Sequence, residues 1–215
     1  MLIPLRYSKV EKMAEINIKE AEELEKKYDS GLQTRVIGPN LLKFTYYFSI
    51  LFAAYHYITS GIGVPIDYWH MGSHMAGVMI LVFIGFPAIR AKNASLLKPN
   101  SWWRYGNVPI WDWALIIAGV SSAYYVGITW YEIDFEFFGQ RFQLPDQVMR
   151  QGNPARIDVI FGTILVCVLL EAVRRTLGII VPIIICIFTI YAVFGMYMPF
   201  QILKHPGVSW DLFIN

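Results

Sequence analysis

His56, His70 and His74 are the residues whose type and spacing come nearest to chemistry in this chain. His70 and His74 stand four apart, which puts them on one face of a helix. His56 lies near the end of the preceding apolar run. If the two runs are antiparallel helices, His56 and His74 share a depth, the arrangement that bis-imidazole haem ligation requires. The competing interpretation has them facing water or bonding a backbone carbonyl, and it is the one adopted, so no haem, metal or other cofactor is expected. The remaining candidates are charges set in apolar surroundings, where ionisable groups are expensive. Two are counted: Asp158, at the start of an apolar run where a carboxylate suits the positive end of a helix dipole, and Glu171, near the end of the same run. Arg174 and Arg175 follow Glu171 by three and four residues, so the three share a face and read as a structural ion pair. No catalytic residue and no substrate-binding residue is expected.

The elements that must position these groups are apolar runs over 41–60, 71–89, 110–130, 157–173 and 177–197. Each is close to the ~20 residues that cross ~30 Å of hydrocarbon as a helix, and in lipid the backbone must satisfy itself internally. The expected fold class is therefore an all-α integral membrane protein with about five transmembrane helices. Fourteen of the eighteen Lys and Arg residues fall on one side of that topology, on 1–43, 90–104 and 174–175. That bias predicts a cytoplasmic N-terminus and a C-terminal tail, 198–215, on the periplasmic or extracellular side. The first residues lack the apolar core of a cleavable signal. Cys167 and Cys186 fall inside apolar runs and read as two buried free thiols, with a disulfide between neighbouring helices as the alternative.

Residues 1–40 form a cytoplasmic segment. Within it Val10, Ala14, Asn17, Ala21, Leu24 and Tyr28 recur at helical spacing, predicting an amphipathic helix over about 9–29. The interval Tyr131–Arg156 is acidic and aromatic, then polar, and suits a short interfacial helix or a docking surface. Gly119, Ala123 and Gly127 at spacings of four, and Gly72 with Ala76, are small-residue faces that let helices approach closely. They are candidates for helix packing or a subunit interface. No polar chain runs through the middle of an apolar segment, which argues against a pump or stand-alone carrier.

The stretch Arg156–Pro182, with Asp158, Gly162, the run Leu-Glu-Ala-Val-Arg-Arg at 170–175, Gly178 and Pro182, is similar to the small membrane subunit of tripartite ATP-independent periplasmic (TRAP) transporters. It most resembles the N-terminal part of fused permeases of the TAXI subgroup. Ile190–Pro199 and Lys204–Leu212 extend the likeness, which is densest over 156–212; residues 41–130 agree mainly in layout. The resemblance implies an accessory subunit, not an enzyme. It would brace a large permease subunit, on a separate chain since this one stops at Asn215, and help dock a periplasmic substrate-binding protein. The system would take up organic acids on an ion gradient as a symporter in a bacterial or archaeal cytoplasmic membrane. The partners implied are those two proteins and the lipid bilayer, with no nucleic acid. The alternative is a haem-binding, cytochrome b-like membrane anchor of an oxidoreductase.

Overall fold

Glycine and proline punctuate the helices of this chain. In the computed structural model the described residues are 34–63, 67–88, 104–129, 132–137, 139–146 and 149–214. The expected helix over about 9–29 lies outside them. The first described helix, α1 (Pro39–Ile62), starts with proline in its first turn, where a missing N–H loses nothing, and stops at Gly63 with φ 103°. Then come α2 (Asp67–Gly85), a two-residue ladder of β1 (Arg104–Tyr105) with β2 (Val108–Pro109), and α3 (Ile110–Thr129). A second antiparallel hairpin pairs β3 (Ile133–Phe137) with β4 (Gln140–Leu144). The helix α4 (Arg156–Leu177) ends at Gly178 with φ 88°. After it come α5 (Ile180–Phe194), 3-10 turns at Gly195–Tyr197 and Gln201–Leu203, and the short α6 (Trp210–Ile214).

The core sits where α2, α3 and α4 meet. Met79, Phe83 and Ile84 of α2 are fully buried against Ile116 and Ala123 of α3 and Val168 and Ala172 of α4. The small residues make this packing possible. A Cβ added to Gly72 would fall 2.7 Å from the carbonyl oxygen of Ala123, one added to Gly119 would meet Met79 and Val168, and Gly127 lies against Trp69. Ala76 and Ala123 are themselves buried. The small-residue faces thus pack α2 on α3 and α4 within this chain. Because the obstacle at Gly72 is backbone, it cannot swing aside. Gly72→Ala is expected to lower stability by about 1–3 kcal/mol, whereas Gly127→Ala, with its nearest neighbour 3.5 Å away, leaves the melting temperature unchanged. Thermal unfolding of the two variants in detergent checks this.

The expectation of about five transmembrane helices is corrected. Among the described residues, one helical segment, Ile180–Tyr197, is long and apolar enough to cross a membrane by length and composition. The other apolar runs do form helices close to their expected positions, but their composition is diluted. Tyrosines and a histidine crowd the end of α1, Trp69, His70, Gly72, Ser73 and His74 open α2, Asp112, two serines and two tyrosines interrupt α3, and α4 carries Arg156, Asp158, Glu171, Arg174 and Arg175. The chain is mainly helical, with the two short ladders added. In place of a short interfacial helix, the 131–156 interval carries the β3–β4 hairpin. Cys167 and Cys186 are free, and exposed rather than buried.

Candidate functional site

Three clusters of polar side chains stand out, and the antiparallel course of the helices assembles each. The first joins the start of α3 to the end of α4. Asp112 sits in the first turn of α3 and Arg174 and Arg175 in the last turn of α4, each at the helix end whose dipole favours its charge. Asp112 is fully buried. Its Oδ1 accepts from Arg175 Nη2 at 2.8 Å, and its Oδ2 accepts from Arg35 Nη2. Arg175 Nε also donates to Glu171 Oε1 at 2.8 Å and its Nη1 to the Phe86 carbonyl at 3.2 Å. The Arg175 guanidinium carbon lies 4.8 Å from the centre of the Phe83 ring. Arg174 chelates Glu171 through bonds of 2.6 and 2.8 Å and reaches the Ala88 carbonyl at 3.0 Å. Arg35 is tied down through its backbone as well, its N–H donating to the Gly85 carbonyl at 2.6 Å. Burial pulls the Arg35 guanidinium below its ordinary value, against the opposing hold of the Asp112 carboxylate.

The second cluster joins the end of α3 to the start of α4. Asp158 accepts from Arg150 Nε at 2.8 Å and Nη2 at 2.9 Å, a bidentate pair with both side chains 5% exposed. Tyr125 Oη donates to Asp158 at 2.6 Å, stacked on Phe161, and the Ala155 N–H donates at 2.7 Å, so the carboxylate also caps α4. Arg150 additionally bonds the Pro145 carbonyl, linking the chain beyond the hairpin to the helices.

The third cluster lies where α1 ends and α2 begins. His74 Nδ1 is 2.9 Å from His56 Nε2, His56 Nδ1 donates to the Phe52 carbonyl at 2.8 Å, and His70 Nδ1 is 3.0 Å from Tyr55 Oη. Phe44, Phe48 and Phe52 stack down α1 beneath His56, and Phe52 presses on Gly77 of α2. Haem does not fit between these histidines as they stand. Axial imidazoles hold their nitrogens on opposite sides of the iron, about 4 Å apart with a macrocycle between them. As they stand the rings bond one another, and no three His, Cys, Asp or Glu side chains among the described residues converge at metal-holding distance.

Exposed on the β3–β4 hairpin, Arg141 chelates Asp134 at 2.6 and 2.9 Å. The guanidinium, then Gln143, holds the Asp134 carboxyl below its usual value, and the carboxylate raises Arg141 in return. At the C-terminal side, His205 Nε2 donates to the Tyr191 carbonyl at 3.1 Å while its Nδ1 accepts from the Gly207 N–H at 3.1 Å. Trp210 Nε1 donates to Thr163 at 3.0 Å, and Ile214 seats against Gly162, folding the tail back onto α4.

Of the residues singled out in the sequence, Glu171, Arg174 and Arg175 come together, and His56, His70 and His74 come together. Sequence reasoning missed Asp112, Arg35, Arg150 and Tyr125. A signal for Asp112 was present, since it is a carboxylate inside the 110–130 apolar run and so a third intramembrane-type charge left uncounted. Arg150 and Tyr125 gave no local signal, because their partner lies 8 and 33 residues away. Compared with known proteins, the chain matches no family model, no curated protein and no solved structure.

Proposed function

We propose that this chain is the small accessory subunit of a TRAP-type secondary transporter, attached to the cytoplasmic membrane through α5 and bracing a large permease subunit. The observation that carries the reading is the exterior of α5. Ile183, Ile184, Ile185, Cys186, Ile187 and Phe188, six residues in a row, are all exposed. Those positions point in every direction around a helix of 3.6 residues per turn. A helix on a water-facing surface keeps a polar stripe; this one has none, and hydrocarbon is the environment that suits it. The resemblance over 156–212 adds to this. Its distinctive residues are occupied in holding the chain together: Asp158 caps and clasps α4, Glu171 orders two arginines, Gly162 receives Ile214, and His205 fixes the tail. That is what a scaffold asks of them, and it leaves transport chemistry and the organic acid to a partner. The reading further includes a cytoplasmic N-terminal segment, a periplasmic tail and a periplasmic binding protein that docks on the assembly.

Reconstitution into liposomes tests it. Uptake of the organic acid is expected to need this chain, the large permease, the binding protein and an ion gradient together. Removing this chain should abolish uptake. Uptake by this chain alone, or full uptake without it, overturns the reading.

A further inference from the structure

We propose that His56 and His74 form an acid-sensitive latch, which holds the second half of α1 on α2 and opens when the pair takes up a second proton. The latch stands apart from the transporter reading. Its setting is a helix that is lightly held. Of the 24 residues of α1 only Leu41 and Thr59 are buried. The start of α1 is anchored, with Leu41 in the core and the preceding Gly38 N–H donating to the Gly106 carbonyl at 3.0 Å. Its second half meets α2 through Phe52 on Gly77, His56 on His74 at 2.9 Å and Tyr55 on His70 at 3.0 Å.

The proton positions decide how acid acts on this pair. A carbonyl only accepts, so His56 Nδ1 carries a proton for Phe52. In the neutral pair His56 Nε2 then holds a lone pair, and the His74 Nδ1–H donates to it. A first added proton goes to Nε2 of His74, a residue that is exposed. The imidazolium still donates through Nδ1, so the bridge survives and becomes charge-assisted. A second added proton has only His56 Nε2 to take, and two N–H groups then point at one another across 2.9 Å. The bridge cannot hold both. His70 Nδ1 meets a hydroxyl that can donate or accept, so His70 can charge without losing Tyr55. His56 then lies between two imidazolium rings, their centres 4.9 and 5.3 Å away, and takes its own proton only as the latch opens. Tyr55 and His70 are the titratable groups that face the pair from α1 and α2, while Tyr124 of α3 is turned to Ser73. Among the described residues no carboxylate is ion-paired with any of the three histidines. The open arrangement thus binds at least one proton more than the closed one. Closure is therefore favoured as pH rises and lost as pH falls, the open-to-closed ratio changing by roughly tenfold per pH unit for each extra proton.

The test uses the full chain purified in detergent, with Cys167→Ser and Cys186→Ser and with spin labels on Ile58→Cys and Met71→Cys, both exposed. Double electron–electron resonance reads the distance between the labels from pH 8 to pH 5, the range in which imidazoles ordinarily change charge. One short distance is expected at pH 8. A second, longer population should grow in toward pH 5, by up to about tenfold per pH unit, and vanish on return to pH 8. In His56→Gln, and equally in His74→Gln, the pair has lost one titrating ring and cannot collect two protons, so the populations should not change with pH. His205→Gln should respond as the protein with its histidines intact does. An unchanged distance distribution from pH 8 to pH 5 with the histidines intact overturns the proposal, whichever variants fold. Undiminished pH dependence in either His56→Gln or His74→Gln overturns it too.

Discussion

Replacing Asp112 by alanine is expected to cost about 3–5 kcal/mol and to leave little folded protein at moderate temperature. Asp112 is fully buried and answers two guanidiniums at once, Arg35 from the stretch before α1 and Arg175 from α4, both almost fully buried. Removing the carboxylate leaves two like charges facing one another in a closed site, where neither can regain water. The loss is not that of one hydrogen bond, since the desolvation already spent on the arginines goes unanswered. Glu171→Gln is the contrast. Glu171 is 25% exposed and Arg174 35% exposed, so that change is expected to cost only about 0–1 kcal/mol. Denaturation curves for the two variants, run side by side, should differ widely in midpoint. Equal midpoints would mean that the Asp112 site is open to water.

The second large effect is expected at the other end of the same helix pair. Arg150→Ala strips the bidentate partner from Asp158, which is 5% exposed, and should again cost about 3–5 kcal/mol. Tyr125 and the Ala155 N–H remain as donors but bring no charge. The double variant Arg150→Met, Asp158→Asn removes both charges, keeps most of the volume and is expected to recover most of the loss. If the double variant is as unstable as Arg150→Ala alone, the damage lies in packing and not in an orphaned carboxylate.

How much of this was legible in the sequence depends on the range of each interaction. The i, i+3 and i, i+4 spacings put Glu171, Arg174 and Arg175 on one face, and the structure has them bonded there. Asp158 was readable as a helix-start carboxylate, because capping is local. The partners of those groups were not readable. Arg35 reaches Asp112 across 77 positions and Arg175 across 63, and only the antiparallel order of α3 and α4 brings them together. The span count failed for a different reason. The runs hold few Lys, Arg, Asp or Glu, but the tyrosines, tryptophans, histidines, serines and glycines within them dilute their apolar character. Antiparallel runs would put His56 and His74 at one level, and the structure has them 2.9 Å apart, but spacing alone does not distinguish a hydrogen-bonded pair from two ligands held apart by a haem.

The two polar clasps fasten the same two helices. Asp112 and Tyr125 are thirteen residues apart on α3, about 20 Å along its axis, and their partners on α4 are Arg175 and Asp158. A rod pinned at one point can pivot; a pair of rods pinned at both ends can neither pivot nor slide. A shift of one helical turn, the usual step by which packed helices ratchet past one another, would have to break both clasps together. The α3–α4 pair is therefore a strut. Force applied where the Asp112 clasp lies is delivered at the Asp158 clasp without being absorbed as relative movement, and any machine built around this pair must do its moving elsewhere.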